Sequence, residues 1–134
     1  MPEHGYNAET GIKFTLKDNL SSKINFFYML MHDEIAYSSI SFRNENMNNT
    51  KRIGGNLSID YKPLDFMKFN FSLTYVNAYF AEGINQNKKI PLNAEFKGNM
   101  QIDFILPFDT IISFDYSYTG SQFQGNDYLN SLKQ

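Results

Sequence analysis

Met67-Lys68-Phe69-Asn70-Phe71-Ser72-Leu73-Thr74-Tyr75-Val76-Asn77-Ala78-Tyr79-Phe80-Ala81 is the stretch on which the fold turns. Phe69, Phe71, Leu73, Tyr75 and Tyr79 share one face, and Lys68, Asn70, Ser72 and Thr74 share the other. A period of two is a strand, because a helix would gather residues three and four apart instead. From Phe69 to Tyr79 such a strand rises about 33 Å, and a tilt near 45° brings that to about 24 Å. The apolar band of an outer-membrane barrel is about 25 Å tall. The strand is long enough to cross it.

The same pattern recurs on both sides. Upstream, residues 51–62 alternate Ile53, Leu57, Ile59 and Tyr61 against Arg52, Asn56, Ser58 and Asp60, and Pro63-Leu64-Asp65-Phe66 turns the chain. Proline cannot donate to a ladder and belongs in that connection. Residues 6–17 set Tyr6, Ala8, Thr10, Ile12, Phe14 and Leu16 against Asn7, Glu9, Lys13 and Thr15, before a tight turn at Asp18-Asn19-Leu20-Ser21. A strand over residues 22–38 follows, with Ile24, Phe26, Tyr28 and Leu30 on one face. Its other face is also apolar at Phe27, Met29 and Met31, a pattern that a short buried helix would share. Downstream, Phe96, Met100, Ile102 and Phe104 oppose Glu95, Lys97, Asn99, Gln101 and Asp103. Pro107-Phe108-Asp109 turns into a sixth strand, where Ile112, Phe114, Tyr116 and Tyr118 oppose Ser113, Asp115, Ser117 and Thr119. The expected fold is all-β, an antiparallel up-and-down meander of six long strands forming part of a transmembrane β-barrel.

Connections alternate short and long. The long ones cover residues 39–50, 82–92 and 120–134 and are rich in Asn and Gly. Barrels of this kind keep short turns on the periplasmic side and long loops outside, so strands one, three and five run inward. Aromatics recur near strand ends at Tyr6, Tyr61, Phe66, Phe69, Tyr79, Phe104 and Tyr118. An interfacial girdle needs such rings. Alternation alone leaves open which face is inside. In a soluble lipid-binding β-barrel the aromatic face would line a cavity, and a small porin- or adhesin-type barrel would need a further hairpin. Six strands do not close, since small barrels use about eight.

Composition narrows the function classes. A mean hydropathy below zero does not argue against a membrane, because barrel strands hide apolarity in alternation. Net charge is −2 and cysteine is absent, so no nucleic-acid partner and no disulfide framework is expected. Within His32-Asp33-Glu34, His32 and Glu34 can converge while Asp33 points away. A divalent site needs more ligands, so no metal is expected. No phosphate loop, nucleophile elbow or carboxylate pair stands out, and Asp60, Asp103 and Asp115 read as lumen-facing polar positions. No cofactor and no enzymatic activity are expected. Met1-Pro2-Glu3-His4 lacks the basic and apolar regions of a signal peptide, so the chain, residues 1–134, is expected to be one partial barrel domain of a longer protein.

Several blocks, in order, resemble the C-terminal part of the barrel in TonB-dependent outer-membrane receptors. Pro2-Glu3 and the strand from Tyr6 resemble the family's Pro-Glu before a Tyr-Glu-x-Gly-x-Lys strand, matched at Tyr6, Gly11 and Lys13. The segment from Lys51 is similar to its Arg-Ile-x-Gly-x-Glu-Leu strand at Arg52, Ile53, Gly55 and Leu57, with Asn56 in place of the acid. Tyr75, Ala78 and Gly83 match a Tyr-x-Asp-Ala…Gly block, with Asn77 for Asp, and Ile90-Pro91-Leu92 resembles the Ile-Pro-Leu before the next inward strand. Tyr118, Gly120 and Asn126-Asp127 resemble its Tyr-x-Gly and acidic loop. Ala94 and Phe96-Lys97 depart from the usual Pro and His-Lys.

That resemblance implies a parent of about 22 strands with a plugged lumen. The plug and most of the barrel would precede Met1, and about three strands would follow Gln134. It implies energy-coupled uptake of a scarce, bulky nutrient (a ferric siderophore, haem or a cobalamin-like compound) in the cell outer membrane. Partners would be outer-membrane lipid, the plug, a TonB-type energy-coupling protein and the small-molecule or metal-chelate ligand. On this view Arg43, Glu45, Lys51, Lys88 and Lys89 are candidates to face the ligand from the long-loop side, against plain solvation as the simpler reading. Phe27, Met29 and Met31 are candidates to pack against the plug. The loops carry no signature of one ligand.

Overall fold

The alternation does build strands. The structure, a computed structural model, describes residues 2–38, 42–46 and 48–134. It contains β1 (His4–Leu16), β2 (Leu20–His32), β3 (Ile35–Ser38), β4 (Arg43–Asn46), β5 (Thr50–Leu64), β6 (Met67–Phe80), β7 (Phe96–Leu106) and β8 (Thr110–Thr119). Six of them form one antiparallel sheet in the order β1-β2-β5-β6-β7-β8, and β3 and β4 pair as a separate hairpin. Among the described residues no helix is long and apolar enough to cross a membrane, which says nothing about crossing with strands.

Register turns six alternating sequences into two continuous surfaces, because residues directly opposite in an antiparallel pair share a face. One row runs Ile12, Ile24, Leu57, Leu73, Gly98 and Tyr118 across the whole sheet. A parallel row on the reverse runs Thr15, Ser21, Asp60, Asn70, Gln101 and Asp115. The apolar surface is bare: Ile12 is 75% exposed, Phe26 62% and Phe114 61%. Uncovered apolar area of this extent requires an apolar neighbour. The polar surface satisfies itself with cross-strand bonds. Thr74 donates to Asn56 at 2.9 Å, Ser113 to Asp103 at 2.7 Å and Ser117 to Asn99 at 2.6 Å.

The strand ends that differ most from the expectation are those of β2 and β5. The strand expected over residues 22–38 stops at His32, because Asp33 takes a left-handed φ of 52° and ends the ladder. The Asp33 amide then donates to Asn49 Oδ1 and the Glu34 amide to the Asn48 carbonyl. Residues from Ile35 onward therefore leave the sheet: β3 takes the last four residues of the expected strand and β4 falls within the expected loop, residues 39–41 and 47 of which lie outside the described ones. β5 continues to Leu64, with Pro63 inside its span rather than beyond it. The register shifts between Tyr61 and Leu64, and the proline sits in that irregularity, where no ladder bond is asked of it. The turn shrinks to Asp65-Phe66.

Protein-covered packing is concentrated at one end. Ala78, Phe80, Ile90, Ala94 and Thr50 are buried, all at or beside the long-loop ends of β5 and β6. Ala78, Phe80 and Ile90 form one cluster, with Val76 and Tyr128 packed against it. Strands β1 and β8 are exposed along their whole length on both faces.

Candidate functional site

The polar surface changes character toward the long loops. Along β2 it carries Phe27, Met29 and Met31, opposite Gly54, Arg52 and Thr50 on β5. Val76, Ala78 and Phe80 of β6 continue these rows. Gly54 is required here. A Cβ at that position would overlap both the Tyr75 carbonyl and the Phe27 ring, so the glycine lets Phe27 lie across the strand.

An ion pair stands among these apolar groups. Arg52 reaches Glu34 with two nitrogens, Nη2 to Oε1 at 2.6 Å and Nη1 to Oε2 at 3.0 Å. The fully buried Thr50 hydroxyl donates to the same carboxylate. Burial works to raise the Glu34 pKa, but the hydrogen bonds from Arg52 and Thr50 and the guanidinium charge outweigh it and hold the carboxyl below its usual range. The pair ties the first residue after the Asp33 break to the wall. It positions the β3–β4 hairpin.

The long connections are joined to one another at this end. The Ala81 amide donates to the Asn49 carbonyl at 2.7 Å, linking the second connection to the first. Asn130 grips the backbone of Lys89 twice: its Oδ1 accepts from the Lys89 amide at 2.6 Å, and its Nδ2 donates to the Lys89 carbonyl at 2.9 Å. The Leu92 amide donates to the Phe123 carbonyl, and Tyr128 meets the Phe80 ring edge-on at 5.8 Å. Burial, with the Glu45 charge nearby, raises the Tyr128 pKa, which puts the β3–β4 hairpin within electrostatic reach of the tail.

The residues singled out from sequence separate into groups. Arg43 and Glu45 lie on β4, two apart and exposed. Lys88 is exposed in the second connection, and its carbonyl accepts from the Phe80 amide. Lys89 is bridged to Tyr79 and ion-paired with Glu95. Lys51 stands apart. It is opposite Leu30 and Tyr79, in a row of the apolar surface. Phe27, Met29 and Met31 are half-buried together on the polar surface. His32, weighed for metal, stacks on His4 at 4.9 Å, whereas Glu34 faces Arg52. Among the described residues no three His, Cys, Asp or Glu gather as metal ligands. The roles of Glu34, Thr50 and Asn130 escaped the sequence reading. Glu34 and Arg52 are 18 residues apart and meet only because Asp33 breaks the strand.

An antiparallel sheet with one bare apolar surface, one self-bonded polar surface and long connections knitted together at one end defines the wall of a membrane-type β-barrel. The TonB dependent receptor-like β-barrel family matches residues 1–134, and the chain belongs to it. That is a family of outer-membrane transport receptors, not of enzymes. Among solved structures the chain is similar to the ferric yersiniabactin uptake receptor FyuA from Yersinia pestis, with a TM-score of 0.78 and 12% identity. The match covers 98% of this chain and 20% of the FyuA chain, so the chain spans about a fifth of that receptor's length. No curated protein matches the chain significantly. Neither the soluble lipid-binding barrel nor the porin- or adhesin-type barrel is favoured.

Proposed function

We propose that this chain supplies wall and outer loops to a longer outer-membrane receptor that takes up a scarce, bulky nutrient with energy from a TonB-type protein. The nutrient would be a ferric siderophore, haem or a cobalamin-like compound; FyuA's own cargo, ferric yersiniabactin, supports the first class. The observation that carries the proposal is the family match over the entire chain, residues 1–134. Arg43, Glu45, Lys88 and Lys89, in or beside the long connections, are the residues proposed to meet the ligand. Phe27, Met29 and Met31 would pack against a plug in the lumen, since an apolar patch on an otherwise polar wall calls for a partner with a matching surface.

The test is growth of a host stripped of its own receptors and supplied with the complete one. Growth on a single class of iron or cobalt source, lost when the host's TonB is deleted, is the expected result. Growth indifferent to TonB overturns energy coupling. For the plug, Met29→Asp should raise amide exchange in the plug residues nearest β2, and unchanged protection would remove that contact from the proposal.

A further inference from the structure

The register separates the charges of the sheet with one exception. From Glu9 and Lys13 on β1 to Asp115 on β8, every Asp, Glu, Lys and Arg in the paired rows falls on the polar surface, except Lys51. Lys51 is at the long-loop rim of the apolar surface, between Leu30 and Tyr79. A lysine facing lipid is costly at the midplane and cheap at the interface, where its stem lies on apolar neighbours and its ammonium reaches the headgroups. Position therefore makes Lys51 tolerable, but it does not say what the charge meets.

Two observations do. First, Lys51 makes no ion pair with any described residue, whereas Arg52 has Glu34, Lys62 has Asp65 and Lys89 has Glu95. Its own surface offers no acid in any paired row, which leaves its ammonium open to an anion from outside the chain. Second, the surface just below it is hollowed. Gly55 stands between Phe26 and Tyr75 in one row and gives no side chain to it. The resulting apolar hollow, about 490 Å³, is walled by Ile24, Phe26, Ile53, Leu57, Leu73 and Tyr75. Ile53 is two residues from Lys51 on the same face, so the near wall of the hollow starts about 7 Å along the strand from Lys51 and Gly55 lies about 13 Å along it.

We propose that Lys51 and the hollow over Gly55 form a binding site for an anionic lipid of the outer leaflet, its phosphate at the Lys51 ammonium and one acyl chain against Ile53. The proposal rests on the apolar surface facing lipid. A cation above an apolar hollow matches a phospholipid end to end, and the absence of acids on that surface removes the repulsion that would otherwise oppose a phosphate. Tyr79, beside Lys51 in the row, puts a ring at headgroup level, where amphipathic aromatics are favoured.

The complete receptor, reconstituted in bilayers mixing phosphatidylglycerol and phosphatidylcholine and then extracted gently, should retain phosphatidylglycerol preferentially in native mass spectrometry. Lys51→Gln should reduce that preference about fivefold at low salt, the effect of one basic residue at an anionic surface. Lys51→Arg should restore it, and Lys88→Gln should leave it intact. Leu57→Trp, which fills the hollow, should shorten retention of both lipids. A preference unchanged in Lys51→Gln overturns the headgroup site, and retention unchanged in Leu57→Trp overturns the acyl site. A receptor that does not enter neutral bilayers at all overturns the lipid-facing reading itself, a result distinct from either.

Discussion

The two ends of this sheet are held by different means. At the long-loop end, Phe80 and Ala78 are each 2% exposed, and loop and tail residues cover them. At the short-turn end Phe108 is 98% exposed and Phe66 52%. The strands between them share one ladder and one alternation. What differs is the source of burial. The loop end makes a small core from its own chain, while the turn end and the apolar surface leave their burial to the surroundings. A change of medium should therefore act on one end and a change of side chain on the other.

The largest effect should follow from emptying the loop-end core. Phe80→Ala should cost about 3–5 kcal/mol locally, as large-to-small core changes do. Amide exchange at Ile90 and Leu92 should accelerate while residues of the β1–β2 turn stay unchanged; uniform acceleration would mean that the two ends are one cooperative unit. Next comes the ion pair. Arg52→Ala leaves Glu34 half-buried without its cation, at about 2 kcal/mol, and should free the β3–β4 hairpin. The same contact should weaken in acid. Because the folded pKa of Glu34 lies below its ordinary 4.5, its contribution is complete above that value and is lost as pH falls through the lower folded one. A hairpin protection factor, corrected for the base-catalysed intrinsic rate, that falls first at alkaline pH would contradict this sign.

Asn130→Ala should come third. It removes both bonds to the Lys89 backbone, about 1–2 kcal/mol together, and should let the tail move independently of the second connection. A cross-link between positions 89 and 130 should then rescue coupled protection of the two segments.

How far the sequence revealed all this depends on range. Strand faces were legible because a period of two needs only the nearest residues: Ile12, Ile24, Leu57 and Leu73, each expected on the apolar face of its own strand, share one surface, and the register sets them in one row. The β2 boundary was not legible. Ile35 and Tyr37 continue an acceptable alternation, and only the left-handed Asp33, secured by Asn46 and Asn49, redirects them. The knitting of the long connections was hidden for another reason. Asn130 reads as an ordinary loop residue, and its bond to Lys89 spans 41 positions. Lys51 shows the remaining gap: its place beside long loops suggested a ligand, whereas parity with Ile53 alone assigns it to the apolar surface.

The smallest effect tests the turn end. Phe108 and Asp109 both take left-handed φ, 64° and 54°, which for a non-glycine residue costs about 1–2 kcal/mol. Phe108→Gly should relieve that strain, and in detergent, where no ordered interface contacts the ring, stability should rise slightly. In a bilayer the ring would reach the interface, and burying a Phe side chain returns about 1.5–3 kcal/mol, so the same substitution should be neutral to mildly destabilising there. The sign of the change between the two media is what matters. An equal gain in both would show that nothing covers Phe108 in the membrane, and the turn end would then lack the external burial on which its contrast with the loop end depends.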